Sequence, residues 1–210
     1  MLATPLGPLA DGLSLQDIGV RDRLTELDFE LPLAGGDHPR AEAVLADLAP
    51  LLRRHLAADD PLRSYADRVA DQDVGWQPLR GYLTGSLDAV LRLPGPRYLV
   101  VDYKTNWLGD VDGWPLSAWH YRPAALAAVM ARSHYPLQAL LYSVALHRYL
   151  RWRQPAYDPE QHLGGLLYLY VRGMCGEATP LVDGHPCGVF SWSPPAALVE
   201  DLSIMLDQGS

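Results

Sequence analysis

Cysteine is nearly absent from this 210-residue sequence, which has only Cys175 and Cys187. Their spacing fits no zinc or redox motif, and two thiolates cannot build a four-thiolate iron–sulfur site. Also missing is any apolar run approaching the ~18–20 residues a membrane span needs. The opening Met1-Leu2-Ala3-Thr4-Pro5 lacks the basic region and apolar stretch of a signal peptide. Basic charge is scarce: 17 Lys and Arg against 25 Asp and Glu give a net charge of −8. That balance argues against a free-standing, sequence-indifferent DNA clamp, which carries a basic face. It leaves room for a metal-dependent site, where carboxylates gather around a cation. No Gly-x-x-x-x-Gly-Lys-Ser/Thr phosphate loop, internal repeat or low-complexity segment occurs. The expectation from these absences is a reduced, cytoplasmic protein without membrane attachment.

What is present is ordinary globular material, 49% hydrophobic and 20% charged, which is too apolar for general disorder. Residues 1–22, rich in Pro, Gly and Leu without period, read as a linker or a cut end, and residues 23–210 as the domain. In Leu24 to Leu33, Leu27, Phe29 and Leu31 alternate with Glu26, Asp28 and Glu30, which predicts a strand with one buried face. Asp37-His38-Pro39 predicts a helix start, continued by leucines at helical spacing to about Ala58 and kinked or divided at Pro50. Asp60-Pro61 repeats the signal for a helix to about Ala70. Tyr82 to Leu93 and Tyr98 to Thr105, joined by Pro94-Gly95-Pro96, form a hairpin. After an irregular stretch from Trp107 to Trp114, helices are expected over Pro123–Arg132 and Tyr135–Trp152. An apolar strand follows at Leu163–Val171, and a helix at Pro195–Leu206. Helices on both sides of a hairpin indicate a mixed α/β layer fold.

The hairpin also carries the chemistry. Asp102 and Lys104, two apart on a strand, project from the same face. On the partner strand Asp88 falls on the face that excludes the leucines, and the turn lies midway between the two aspartates. Side by side, two carboxylates repel unless a cation lies between them, and a hard divalent ion, Mg²⁺ first, suits oxygen ligands. A lysine beside such an ion can hold or deprotonate a water and offset charge on a transition state. The same pattern also suits a solvated outer face of an antiparallel sheet. Tyr135, Gln138 and Tyr142 share one helical stripe, a spacing that serves core-edge packing as readily as substrate contact.

Gly81-Tyr82-Leu83-Thr84-Gly85-Ser86-Leu87-Asp88 and Val101-Asp102-Tyr103-Lys104-Thr105-Asn106-Trp107-Leu108-Gly109 resemble the nuclease domain at the C-terminal end of the RecB family. The resemblance continues through Tyr135–Leu150 and Gly164–Met174. It implies a restriction-endonuclease-like core of the PD-(D/E)xK type, hydrolysing DNA with Mg²⁺, and with Mn²⁺ or Ca²⁺ also able to bind. Asp88 and Asp102 match the family's metal ligands, with the Tyr103 carbonyl completing the set, and Lys104 matches its catalytic lysine. Gln138 and Tyr142 match a Gln-x-x-x-Tyr motif that organises the site and contacts DNA, with Tyr135 on the same stripe. Glu26 matches a glutamate on the strand before the core. The expected partners are DNA, RecC-like and RecD-like subunits, an N-terminal helicase region and RecA. One departure stands out, because the family carries a further histidine ligand on a helix well upstream of the first strand. His38, His55, His120, His134, His147, His162 and His185 all come too late to match it. A weakened fragment that docks RecA or another partner is therefore the alternative expectation. An AddB-like nuclease with an iron–sulfur cluster is disfavoured by the missing cysteines.

Overall fold

The structure, a computed structural model, describes residues 1–33, 43–71, 75–76, 78–79, 81–109 and 115–208. The helix start expected at Asp37-His38-Pro39 lies outside the described residues, as does the part of the irregular stretch at 110–114.

Nine strands are described: β1 (Arg23–Leu33), β2 (Ala43–Val44), β3 (Pro78–Leu79), β4 (Gly81–Leu93), β5 (Arg97–Lys104), β6 (Leu163–Tyr170), β7 (Leu181–Val182), β8 (His185–Pro186) and β9 (Val189–Trp192). The helices are α1 (Leu48–His55), α2 (Tyr65–Ala70), α3 (Pro123–Arg132), α4 (Tyr135–Arg153), the single turn α5 (Pro159–His162) and α6 (Ala196–Gln208). Five strands form one sheet in the order β1-β4-β5-β6-β9, while β2-β3 and β7-β8 are two-stranded ribbons. The β4–β5 and β6–β9 pairs are antiparallel and β5–β6 is parallel, so the sheet is mixed. With helices flanking it, this is the expected α/β architecture, consistent with a restriction-endonuclease-like core. Among the described residues no helix is long and apolar enough to cross a membrane.

The chain folds as two compact units. The first comprises Met1–Leu27, Leu87–Arg132 and Gln161–Ser193, the second Asp28–Ser86, Ser133–Glu160 and Pro194–Ser210. In the first, alternation along the strands divides the sheet into two apolar faces. Ala89, Leu91, Leu93, Leu99, Val101, Leu167, Leu169 and Val189 point into one core. That core is closed by Leu6, Ala10, Leu15 and Ile18 of the opening segment. The segment expected to be a linker or cut end is thus a packed part of this unit, because its irregularly spaced apolar residues are carried on short 3-10 turns (Pro8–Ala10, Leu15–Asp17, Val20–Asp22) rather than on a period that sequence patterns reveal. Val90, Val100, Leu166, Tyr168 and Tyr170 are buried on the other face, where the Tyr170 hydroxyl meets the Met130 sulfur of α3 at 3.6 Å. Gly165 explains the Gly164-Gly165 pair: the β5–β6 register shifts there, φ is +104°, and a Cβ would sit 2.6 Å from the Trp192 carbonyl oxygen.

The second unit is mainly helical, with α1, α2, α4 and α6 burying Leu48, Leu52, Tyr65, Val69, Leu140, Val144, Leu198 and Leu202. The helix expected to reach Ala58 is shorter, Leu48–His55, preceded by β2 and a 3-10 turn. Pro50 neither kinks nor divides it, since it falls in the first turn, where the missing N–H has no carbonyl to serve. Strand β1 buries Leu31 and Leu33 and half-buries Leu27 and Phe29, with Glu26, Asp28 and Glu30 outward, as the alternation predicts.

Candidate metal centre

Strands β4 and β5 supply the centre, both through residues of the first unit. Their register runs from Leu93 opposite Arg97 to Ala89 opposite Val101. The pairing ends there, and one more residue of the same register would set Asp88 across from Asp102. There the Tyr103 N–H is donated to the Asp88 carboxylate, Oδ2, at 2.9 Å. The side chain thus occupies a position where a sheet ladder would continue, and it lies against the backbone joining Asp102 to Lys104. Asp102 is only 4% exposed, on the face of Val90 and Val100. A carboxylate so buried needs a counter-charge, and the Lys104 ammonium supplies it, Nζ standing 2.7 Å from Oδ2. The same ammonium lies 5.2 Å from the centroid of the Tyr168 ring, and Tyr168 is the residue paired with Asp102 in the parallel β5–β6 register. Around Asp102 the outer face is therefore not solvated: one buried carboxylate and one amine sit in an apolar surface, the amine against an aromatic ring. Tyr168 carried no motif, although its alternation with Tyr170 in an otherwise aliphatic strand is a visible trace.

Among the described residues no cluster of three or more His, Cys, Asp or Glu side chains could hold a metal. The oxygen donors of the expected set are two carboxylates and the carbonyl of Tyr103, of which the structure brings the Asp88 carboxylate to the Tyr103 N–H beside Asp102. Such a set suits Mg²⁺, which keeps several waters and takes one or two carboxylates from the protein, better than it suits zinc. Burial first, and then the neighbouring Asp88 carboxylate, push the Tyr103 phenol above its ordinary range against the opposing pull of Arg23. It therefore stays neutral and contributes only its backbone.

The remaining expected residues fall into two groups. Glu26 is exposed on β1 with φ +56°, and no hydrogen bond or ion pair among the described residues joins it to Asp88, Asp102 or Lys104. In the second unit Gln138 donates through Nε2 to the Tyr142 hydroxyl at 2.8 Å, the contact that i, i+4 spacing on α4 permits. Tyr142 meets Phe29 edge-on, centroids 6.2 Å apart. Phe29 can lie flat on β4 because position 85 is glycine: a Cβ there would strike the ring at 2.6 Å. These groups line a cavity of about 290 Å³ together with Thr84 and His134. Tyr135 opens α4 and does not line it, its N–H being donated to Ser133 Oγ at 3.2 Å. Phe29 and His134 carried no functional signal in the sequence, because strand alternation and a lone histidine read as packing. His55 and His147 are engaged away from the centre, with Asp201 and Tyr157, at 2.8 and 3.0 Å.

No family model matches the chain. It is, however, 62% identical over 208 residues, 98% of its length, to the RecBCD enzyme subunit RecB of Mycobacterium tuberculosis. The corresponding subunit of Mycolicibacterium smegmatis is also 62% identical over 97% of the chain, and that of Escherichia coli 36% identical over 90%. The chain belongs to the RecB family. It spans 18% of the length of the M. tuberculosis RecB and 14% of the E. coli one. A match over 98% of the chain spans the stretches that hold Asp88, Asp102, Lys104, Gln138 and Tyr142. The RecB similarity therefore extends over both the candidate metal centre and the α4 cavity.

Proposed function

We propose that this chain is a Mg²⁺-dependent DNA phosphodiesterase domain, working within a RecB-type helicase–nuclease in double-strand-break repair and DNA degradation. The observation that carries the reading is the Asp102–Lys104 ion pair, 2.7 Å long and buried, with Asp88 drawn to the intervening peptide. A structural ion pair alone would not account for the second carboxylate at the same peptide, whereas a cation site does.

The Asp88 and Asp102 carboxylates with the Tyr103 carbonyl would hold the ion. When bound, Mg²⁺ supplies charge neutralisation at the scissile phosphate and a more acidic water. Lys104, held between Asp102 and the Tyr168 ring, presents a donor to the attacking water or to a phosphate oxygen as negative charge grows there. Asp102 fixes the direction of that ammonium, and the apolar surroundings of Val90 and Val100 keep the pair in low dielectric, where its field is strongest. The acidic net charge fits a domain that receives strands from elsewhere, from a helicase region and from RecC-like and RecD-like subunits that grip the duplex.

The test is cleavage of single-stranded and duplex DNA by the chain with and without Mg²⁺, alongside calorimetric titration with Ca²⁺. Divalent-dependent cleavage and Ca²⁺ binding, both lost in Asp88→Asn and Asp102→Asn proteins that still fold, are the expected result. A folded chain that binds no divalent ion would favour the docking reading, with RecA as the first partner to try.

A further inference from the structure

A second surface of the first unit has no part in that chemistry. Immediately after Lys104 the chain leaves β5 and presents Trp107, 59% exposed; Trp119, 56% exposed, stands on the 3-10 turn Ala118–Tyr121. Each indole is accompanied by an arginine. The Arg172 guanidinium lies 5.9 Å from the Trp107 ring and that of Arg122 lies 5.4 Å from the Trp119 ring. Backbone carbonyls fix all the arginines of this surface: Arg172 Nε donates to Thr105 at 2.8 Å, Arg122 Nη1 to Trp119 at 3.1 Å and Arg132 Nε to Ala128 at 3.1 Å. None of the three has a carboxylate within ion-pair distance among the described residues. A cavity of about 390 Å³ is lined by Leu108 and Gly109, which follow Trp107 in the chain, and by His120, Arg122 and Arg132. One wall is the alanine-rich side of α3, whose short side chains leave the space unfilled. The loop is held in place by Tyr121, whose hydroxyl donates to the Asn106 carbonyl at 2.8 Å and accepts the Leu108 N–H at 3.3 Å.

Past Asp110 and Asp112, which lie outside the described residues, the acids stop. From Pro115 to Tyr157 the sequence has no Asp or Glu, while the protein as a whole carries 25 acids against 17 bases. Guanidinium groups such as those of Arg122 and Arg132, fixed at a cavity and with no ion pair to a carboxylate among the described residues, are suited to phosphate. Exposed indoles stabilised by a stacked cation offer flat faces to bases. The two features together, an arginine-lined cavity and two arginine-paired indoles on the loops beside it, suit the phosphates and bases of an unpaired strand, and an acidic peptide would leave the ring faces unused.

We infer that Trp107, Trp119, His120, Arg122, Arg132 and Arg172 form a binding track for single-stranded DNA, phosphates entering the cavity and bases stacking on the two indoles. The track begins three residues beyond Lys104 and holds the strand on one side of the metal centre. The inference rests on the nucleic-acid reading above, but binding is measured without cleavage.

The experiment is fluorescence anisotropy of a labelled oligo(dT) of about 12 nucleotides with the chain in EDTA, using Asp102→Asn as a non-cleaving background. Binding is expected, weakened about tenfold by Trp107→Ala and again by Trp119→Ala, and largely kept by the phenylalanine variants. Arg122→Gln and Arg132→Gln should each lower the slope of log affinity against log salt by about 0.7. Absence of oligo(dT) binding overturns the inference, as does binding that these variants leave unchanged or that polyglutamate competes for equally. Should the track fail while the wild-type chain still cleaves DNA with Mg²⁺, the nuclease reading stands alone. Should cleavage fail while the track binds, the reverse holds.

Discussion

Asp102 is a buried anion paired with the Lys104 amine, and the two partners respond differently to substitution. Lys104→Ala leaves a carboxylate of 4% exposure without its counter-ion, a loss that costs about 3–5 kcal/mol for buried pairs. Its thermal transition should therefore fall well below wild type, and Ca²⁺ should raise it more than it raises wild type, since the cation no longer competes with an ammonium. Differential scanning fluorimetry with and without Ca²⁺ checks both points; an equal Ca²⁺ response in the two proteins would contradict the shared site. Asp102→Asn is gentler on stability, because the amide keeps the shape. Its effect on chemistry should nevertheless be large, a fall of about 10²–10³-fold in cleavage rate, measured by single-turnover digestion. Tyr103→Phe should cleave at close to the wild-type rate, because in the proposed site the backbone carbonyl is the donor and the phenol is neutral.

Individual elements carry their own consequences. On α4, burial first and then Arg151 and Arg148 lower the His147 pKa to about 4. The unfolded chain binds that proton near pH 6.5. Between pH 6.5 and about 4 the unfolded state holds more protons than the native one, so stability must fall as the pH drops through that window. Above it the contribution vanishes. The loss is on the order of 1–3 kcal/mol, and His147→Phe should flatten it in pH-dependent thermal melts. On β4, Gly85→Val drives a Cβ into the Phe29 ring, breaks its edge contact with Tyr142 and should destabilise by about 1–3 kcal/mol. Chemical denaturation measures this. What could be read beforehand follows the same division. The hairpin, α3 and α4 were legible, because strand alternation and leucine spacing are local, and with them came Asp88, Asp102 and Lys104. The four-residue β9, the early end of α1 and the seating of Lys104 on Tyr168 were not. Each depends on partners distant in the chain, and the sequence between marks none of them. Glu26 looked equivalent to its neighbours, and the positive φ that sets it apart leaves no pattern.

At the scale of the whole molecule, the opening segment matters more than its composition suggests. Leu6, Leu15 and Ile18 are almost wholly buried against the sheet, and each such side chain contributes about 1.5–3 kcal/mol. The ion pairs Asp11–Arg97 and Asp22–Arg92 are surface contacts worth little individually. Arg23 binds the carbonyls of Leu15 and Ile18 and so fastens the end of the segment to the start of β1. Since domains are stable by about 5–15 kcal/mol in total, removal of residues 1–22 should abolish the cooperative thermal transition of the first unit. A truncated chain with an unchanged melting curve would show that these contacts are dispensable.

The parallel pairing of β5 with β6 decides when in the life of a nascent chain the amine can be seated. The β4–β5 hairpin closes locally and emerges from the ribosome early. Its parallel neighbour arrives only after α3, α4 and α5 have been synthesised, and such long-range closure is slow. Until then one edge of β5 lies bare, and the two aspartates share a ribbon without Tyr168 beneath the lysine. A product of aborted translation that ends before Leu163 would thus carry Asp88, Asp102 and Lys104 and still lack Tyr168, the ring against which the ammonium is seated.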